Sequence, residues 1–446
     1  MNEAYPGAMV DRAEAILAEL ARDVNSASAA ARNAWMFFMA LIAYFFIALA
    51  SISHRDLLLA TPVKLPILDA EIGLRAFFLF GPLIFLLIHF GILLQHAMLA
   101  RKVLDLHERL RRYEGPSNYR AHRIRIQLHS YFYAQLIAGP FRSAMFAGFL
   151  SVMTWGSLVI LPIALLLNFQ IAFLPFHDLC ITWAHRIYLL VDLTIIAIFG
   201  IYMRYPGASF VRGFGMNMVQ RPASFAFSAV LFAGSVLFAL AIATVPDETM
   251  DRVMAAISST RTAVPVGEST GRRARAAFWP TAVLFDGAVD LVSGRPTSPF
   301  GRNLVVTDTD LVRDSEVGTG EVSINLRRRD LRYGTFDRSD LHQADLTGAA
   351  LNKASLRETN LMDVRAEKTS FQEADLWRAQ FVADVSTGQP VRGADLRDAD
   401  LRFANLQQAN LQGANMAGAL MEGARLGEAQ MDPEDVAEAR RQGAKF

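Results

Sequence analysis

The sequence predicts two architectures in one chain, an α-helical transmembrane bundle of about five spans followed by a C-terminal solenoid of stacked coils. Three observations predict them. Apolar stretches of the length a helix needs to cross the hydrocarbon core, about 20 residues, recur five times before residue 245. From Leu326 to Met431 every fifth residue falls in one frame, and only Ala366 and Ser386 among its 22 members are not large and apolar. The 446 residues are 52% hydrophobic with a mean hydropathy of +0.25, too apolar for a soluble chain with a polar solenoid appended.

The predicted spans are Ala34 to Ile52, Ala76 to His96, Ala144 to Leu166, Ile187 to Met203 and Ser224 to Thr244, together a bundle over 34–244. The leader, 1–33, carries Asp11, Glu14, Glu19 and Asp23 and no small-residue cleavage pattern, so the first span reads as an anchor rather than a removed signal. Within it Val10, Ala13, Ile16, Leu17, Leu20 and Val24 share one helical face, which reads as packing on the protein itself, with a partner-binding helix as the alternative.

Arginine and lysine orient the bundle. The connector 100–143 holds Arg101, Lys102, Arg109, Arg111, Arg112, Arg120, Arg123, Arg125 and Arg142, and such an excess marks the cytoplasmic side. Alternation then places the N-terminus and 205–223 inside, and the loops around Arg55 and His177 outside. The C-terminal domain falls outside as well, periplasmic if the membrane is a bacterial inner membrane. Arg252, Arg261, Arg272, Arg273 and Arg275, just after the fifth span, argue the other way. The connector reads as two helices, one extending the second span through Leu110 and one from Asn118 toward Ala138, broken at Gly115 and Pro116. Its Arg120, Arg123 and Arg125, beside Tyr131, Phe132 and Tyr133, suit anionic lipid headgroups, and topology explains the charge without nucleic acid.

The repeat is set out by its central residues: Leu326, Leu331, Phe336, Leu341, Leu346, Leu351, Leu356, Leu361, Phe371, Leu376, Phe381, Leu396, Leu401, Leu406, Leu411, Met416, Met421 and Leu426 form the expected core. Two positions earlier stands a small residue, as at Ala344, Ala374 and Ala404. Just before the centre stands Asp or Asn, as at Asp345, Asn360 and Asn405, types that bond locally to a bent backbone. A period of five keeps no apolar face on a flat strand or an amphipathic helix. A coil stacking in register does keep one, and fixed-period self-similarity is the signature of a solenoid.

In this phrase, Ala394-Asp395-Leu396-Arg397-Asp398 and Ala404-Asn405-Leu406-Gln407-Gln408, the chain resembles the pentapeptide-repeat family, over roughly its last quarter. The resemblance implies a right-handed, four-sided β-helix with one pentapeptide per side. Twenty-two units in 323–431 would make about five and a half coils, a rod on the order of 25 Å long at the β spacing. The frame is weakest at Ala366 and across 383–390, which reads as a loop. The segment 432–446 opens on Asp432 and Pro433 as a short capping helix over the open sheet edge. The preceding 245–322 reads as linker and N-terminal cap, with an amphipathic piece at 282–291. Val306 and Leu311 already fall in frame there, but Glu316 and Glu321 occupy the next two frame positions. With its helices, the chain resembles the membrane-anchored subset of bacterial pentapeptide-repeat proteins.

Ionisable groups inside a bilayer are costly and are functional candidates by default. His89 lies in the second span and Asp192 in the fourth. Just before the fourth come His177 and Asp178, and Asp178, His185 and Asp192 are spaced by seven. A helix beginning near His177 would put two carboxylates and an imidazole on one stripe. That set fits a polar clamp between helices, with Arg186 as a partner, or an ion or proton pathway. Trp183 and Tyr188 suit interfacial anchors.

No phosphate-binding loop, nucleophile elbow, zinc-finger spacing or dinucleotide fingerprint occurs, and no cofactor is expected. Cys180 is the single cysteine, so no disulfide forms within the chain. The expected function is non-enzymatic: a membrane protein displaying a rigid solenoid to a protein partner or to a second copy, with membrane lipid as its surroundings. The alternative is a channel, transporter or sensor working through His89, Asp178, His185 and Asp192. Soluble members of the family that mimic DNA and bind gyrase need a strongly acidic rod. Between Ser323 and Met431 fourteen Arg or Lys stand against fifteen Asp or Glu, which excludes that role.

Overall fold

The computed structural model describes residues 5–65, 70–113, 119–140, 143–259, 279–290, 296–312, 322–382 and 393–446. They fall into two compact units. The first comprises 1–51, 78–169 and 183–237, and the second 52–77, 170–182 and 238–446.

Among the described residues five helical segments are long and apolar enough to cross a membrane: Glu14–Ala50, Leu74–Arg112, Ala144–Phe176, Leu179–Arg204 and Pro222–Ile242. The first belongs to α1 (Tyr5–Ala50), which runs without a break from the leader into the span. No proline or left-handed residue interrupts it, so nothing ends the helix at residue 33. Its stripe of Leu17, Ala21, Val24 and Ala31 is buried against Leu99, Val103, Leu106 and Leu110 of α3 (Leu74–Tyr113) and Ala121 and Ile124 of α4 (Tyr119–Ile126). The leader thus supplies a face of the unit's own core.

The basic connector differs from the expected single helix between Asn118 and Ala138. It forms α4 and a separate α5 (Phe132–Ala138). Polar side chains take over the backbone groups freed between them. Asn25 donates to the carbonyl of Gln127 and accepts from the amide of His129, and Gln135 donates to the carbonyls of Leu128 and His129. Gly115 and Pro116 lie outside the described residues.

The third apolar segment is α6 (Ala144–Trp155) and α7 (Leu161–Phe173) joined by one π-helical turn, Gly156–Ile160. The fourth is α8 (Leu179–Arg204), longer at its start than the apolar stretch indicates. Asp178 begins it, its Oδ1 accepting from the amides of Cys180 and Ile181 and so satisfying donors that have no partner inside the helix. A short helix α9 (Phe210–Gln220) precedes α10 (Pro222–Leu237).

In the second unit lie α2 (His54–Leu59), the hairpin of β1 (Val63–Leu65) and β2 (Ala70–Ile72), α11 (Thr249–Ser259) and α12 (Trp279–Phe285). The expected amphipathic piece at 282–291 is helical only to Phe285. There the chain turns extended, and Val289 bridges Pro296. Phe285 is buried with Leu174, Ala243 and Val245.

The rest of this unit is the coil. Residues 20 apart pair in parallel, as Asp345 with Arg365 and Ser355 with Asp375, and the pairs line up in four columns. One coil therefore takes four sides of five residues. Each central amide donates to the carbonyl of the Asx-type position in the next coil, Leu346 to Arg365 and Leu356 to Asp375 at 2.7 Å. At each corner the chain turns back on itself, Ala349 N–H to Leu346 C=O at 2.8 Å, in the turn class whose third residue is left-handed. That residue is Gly at 348 and 413 but Arg328, Lys353 and Glu358 elsewhere, with φ of 55°, 62° and 56°. Asp or Asn before the centre has a defined task. Its carboxylate or amide oxygen accepts from the amide two residues on, Asp345 from Thr347 and Asn405 from Gln407, the local bond for which these residues are selected in turns.

None of the eighteen expected core residues is more than 5% exposed. Ala366, the weak point of the frame, is fully buried, and two positions earlier Val364, also buried, stands in place of the usual small residue. Where a buried small position holds Ser or Thr, the hydroxyl donates to a carbonyl of the preceding coil, Thr359 to Phe336 and Thr369 to Leu346.

The pairing step rises from 20 to 30 in two places. Val305 pairs with Thr335 and Asp310 with Asp340, so the coil begins ahead of residue 323, and Val306 and Leu311 are buried. Arg365 pairs with Asp395, and the corner closes directly from Ala394 N–H to Phe381 C=O. The counted units at Ser386 and Val391, and the frame positions Glu316 and Glu321, lie outside the described residues. At the far end α13 (Pro433–Arg441) is followed by Lys445, which pairs with Arg425. Gln442 accepts from the Met421 amide and donates to the Ala419 carbonyl, and Asp432 accepts from the Gly413 amide. The last coil's edge is closed by side chains and one added strand residue.

Candidate functional site

The five polar residues singled out in the sequence separate into distinct settings. His89 and Asp192 meet in the first unit, Nδ1 to Oδ1 at 2.7 Å, both fully buried. His89 Nε2 reaches the carbonyl of Leu158 at 3.2 Å, inside the π-helical turn, and Phe38 stacks on the imidazole at 5.1 Å. Both ring nitrogens therefore face oxygen atoms, one of a carboxylate and one of a main-chain carbonyl. Asp192 Oδ2 has no hydrogen-bond partner among the described residues.

His185, one heptad earlier on α8, does not join this pair. Its Nε2 bonds to the carbonyl of Phe78 at 2.7 Å, beside Phe169. The α-helical heptad spacing sets the two on one stripe about 10 Å apart, too far for a shared ligand. Arg186 is buried and lies over the Trp183 ring at 4.8 Å. Among the described residues no group of three or more His, Cys, Asp or Glu could hold a metal ion.

His177 and Asp178 belong to the second unit, where they join a network at the start of the coil. His177, left-handed at φ 60°, bonds through Nε2 to the carbonyl of Arg302 at 2.9 Å and turns Nδ1 toward Asp330, 3.6 Å away. Asp178 pairs with Arg75. Burial works against a charged Asp330, yet the Arg332 guanidinium, bonded to it at 2.7 Å, with the His177 imidazole nearby, holds its carboxyl well below the usual carboxylate range.

Sequence reasoning missed most of this network. Arg302, 3% exposed at its side chain, binds Asp286 through Nε at 2.6 Å and Asp251 through Nη1 at 2.8 Å. Arg329 donates to the carbonyls of Leu57 and Leu58 and stacks over Phe176 at 4.0 Å. Burial, with Arg75 nearby, lowers its guanidinium to about 10. Asp247 accepts from Tyr333 at 2.6 Å. His54 Nδ1 accepts from the Val305 amide at 3.0 Å, and burial depresses its pKa, in keeping with a neutral ring. The one available signal was Arg329, a cation two residues before Leu331, where the frame asks for a small side chain.

A four-sided stack with a closed apolar interior and a ladder of paired surface charges defines a β-helical solenoid of the repeat class. The sequence profile described as pentapeptide repeats matches it in eight copies, over 324–363, 339–378 and 392–431, and through this segment the chain belongs to the pentapeptide-repeat family. Solved structures similar to it include three. The pentapeptide repeat protein Rfr23 from the cyanobacterium Cyanothece 51142 is 23% identical over 29% of this chain and 80% of its own, with a TM-score of 0.20. The protein alr5209 from Nostoc PCC 7120 is 32% identical over 27% and 83%, with a TM-score of 0.13. A thylakoid-lumen pentapeptide repeat protein from Arabidopsis thaliana is 25% identical over 29% and 85%, with a TM-score of 0.14. No curated protein matches the chain.

Proposed function

We propose that this is a non-enzymatic integral membrane protein that holds a rigid, right-handed quadrilateral β-helix on the extracytoplasmic side as a docking or assembly scaffold. One observation carries the reading. Within the second unit the coil's first sides are bonded by Arg329 to the segment between the first and second apolar helices, by His177 to the turn between the third and fourth, and by Arg302 and Tyr333 to the chain that follows the fifth. The interior is filled, so what the coil offers to other molecules is its outer faces.

The membership of the second unit supports the side. It gathers the segment between the first and second apolar helices, the turn between the third and fourth, and the chain after the fifth. Five alternating crossings put those three on one side, while the arginine-rich connector 100–143 favours the cytoplasm on the other. A phosphatase fused after Phe446 is then active and one fused at Arg111 is not. The opposite pattern overturns the orientation. For the scaffold itself, a photocrosslinking residue at exposed Ala417 or Arg378 yields a discrete adduct in cells, and no adduct from any outer face overturns it.

A second reading, an ion or proton pathway through the bundle, rests on the buried His89–Asp192 pair and its unmet Oδ2. Asp192→Asn separates the two: it spares solenoid-dependent crosslinks on the scaffold reading and abolishes a membrane phenotype on the other.

A further inference from the structure

Outside the polar network and the buried pair, the first unit holds a groove of about 470 Å³ lined almost entirely by apolar groups. Leu190, Ala197 and Tyr202 of α8 form one wall, Phe232 and Val236 of α10 the other, and Phe210 of α9 closes one end. Its size is that of a single small-molecule site, about 300 to 1,000 Å³. A helix of a second copy, about 10 Å across, would overfill it.

The helix at its end is built to lie in an interface. Gly213 lets α9 approach α8 closely, since a Cβ there would come within 2.6 Å of Ile201. Arg204 fastens α9 and α10 to α8, donating to Asn217 at 2.8 Å and to Ser224 at 3.1 Å. With Gly213 and Asn217 buried, Phe210, Val211, Phe214 and Met218 occupy an exposed arc of about 100°, and Arg212 stands on the opposite side. Arg221 follows at the helix end. Between Arg204 and Ala223 the sequence has no acidic residue. An exposed apolar arc with unopposed cations is the pattern of a helix seated at an anionic lipid surface.

We propose that this groove binds one anionic glycerophospholipid, its acyl chain lying between α8 and α10 past Phe210 and its headgroup drawn to that surface by the charges of Arg212 and Arg221. The proposal rests on the membrane reading above and adds a defined lipid class and place to it. The connector's outer cations select the headgroup, and the apolar walls, which recognise no polar group, take the chain.

The full-length protein in mild detergent, supplied with dioleoyl phosphatidylglycerol or dioleoyl phosphatidylcholine, tests it by native mass spectrometry. Wild type retains one phosphatidylglycerol per chain in preference to phosphatidylcholine. Arg212→Gln/Arg221→Gln, on the surface, weakens phosphatidylglycerol retention about thirtyfold, two cations' worth of attraction to an anionic surface, and leaves phosphatidylcholine unchanged. Ala197→Trp fills the groove and abolishes retention of both. Equal retention of the two lipids by wild type overturns the proposal, as does full phosphatidylglycerol retention by an Ala197→Trp chain with unchanged melting temperature. A wild-type chain that stays monodisperse without detergent sinks the membrane reading as well, whereas one that needs detergent yet shows no lipid preference sinks the groove alone.

Discussion

The exchange of bulk between Val364 and Ala366 gives a test of how the coil is held together. Both side chains are buried, at 1% and 0% exposure, on one side of one coil. Val364→Ala alone removes two buried methyl groups, at about 0.8 kcal/mol each, and leaves a cavity, for a cost of about 2 to 3 kcal/mol. Ala366→Leu alone forces a leucine into space the valine already fills, a cost of about 1 to 3 kcal/mol. The double variant restores the small residue and the central leucine of the repeat and should lie within about 1 kcal/mol of wild type. The singles therefore couple by about 3 kcal/mol, at the upper end for residues in contact. Pulse proteolysis of the full chain in urea, read by a tag after Phe446, reports the midpoint for loss of the coil. With a urea slope of about 2 kcal/mol/M, each single shifts it down by about 1 M and the double hardly at all. Additive losses in the double variant would refute compensation and leave Ala366 as a plain defect of the stack.

Other expectations concern the network and the caps. His54 is held neutral by burial, so its contribution is complete above the unfolded value of about 6.5 and declines as pH falls below it. Asp330, depressed in the fold, contributes fully above about 3.9 and is lost at lower pH. The coil base should thus weaken in two acid steps, and Asp330→Asn should remove the lower one from a plot of melting temperature against pH. Asp192→Leu alone should destabilise the bundle more than His89→Leu/Asp192→Leu, because a lone buried partner costs about 3 to 5 kcal/mol while an apolar replacement of the pair is close to neutral; thermal unfolding in detergent ranks the three. Truncation before Pro433 uncovers the coil edge now closed by Gln442 and Lys445, and size-exclusion chromatography should show self-association that the full chain lacks.

How much could be read in advance follows from the range of the interactions. The coil was legible because its rule is local: the central leucine, the small residue two before it and the Asx turn all lie within one five-residue phrase. The apolar helices were legible for the same reason, since length and composition suffice. The start of α8 could not be read from hydropathy, since Asp178 extends the helix past the apolar stretch, but it falls near His177, where the heptad spacing of the polar residues pointed. The network escaped because its members lie far apart in sequence. Arg302 with Asp251, and Arg329 with Leu57 and Leu58, are joined only by the fold. Among the candidate residues the heptad spacing of Asp178, His185 and Asp192 was real but not decisive. Each turns to a different partner, Arg75, the Phe78 carbonyl and His89.

Twenty residues close each regular coil, and that arithmetic constrains how such a rod can change. Removing one pentapeptide leaves every leucine facing inward, yet everything beyond the deletion is rotated by a quarter turn, so each ladder of surface charge moves to the neighbouring wall. Only gains or losses of a whole coil preserve what a binding partner sees. Lengthening the rod and re-aiming it are thus separate mutational events, distinguished by whether the number of added residues is divisible by twenty or only by five.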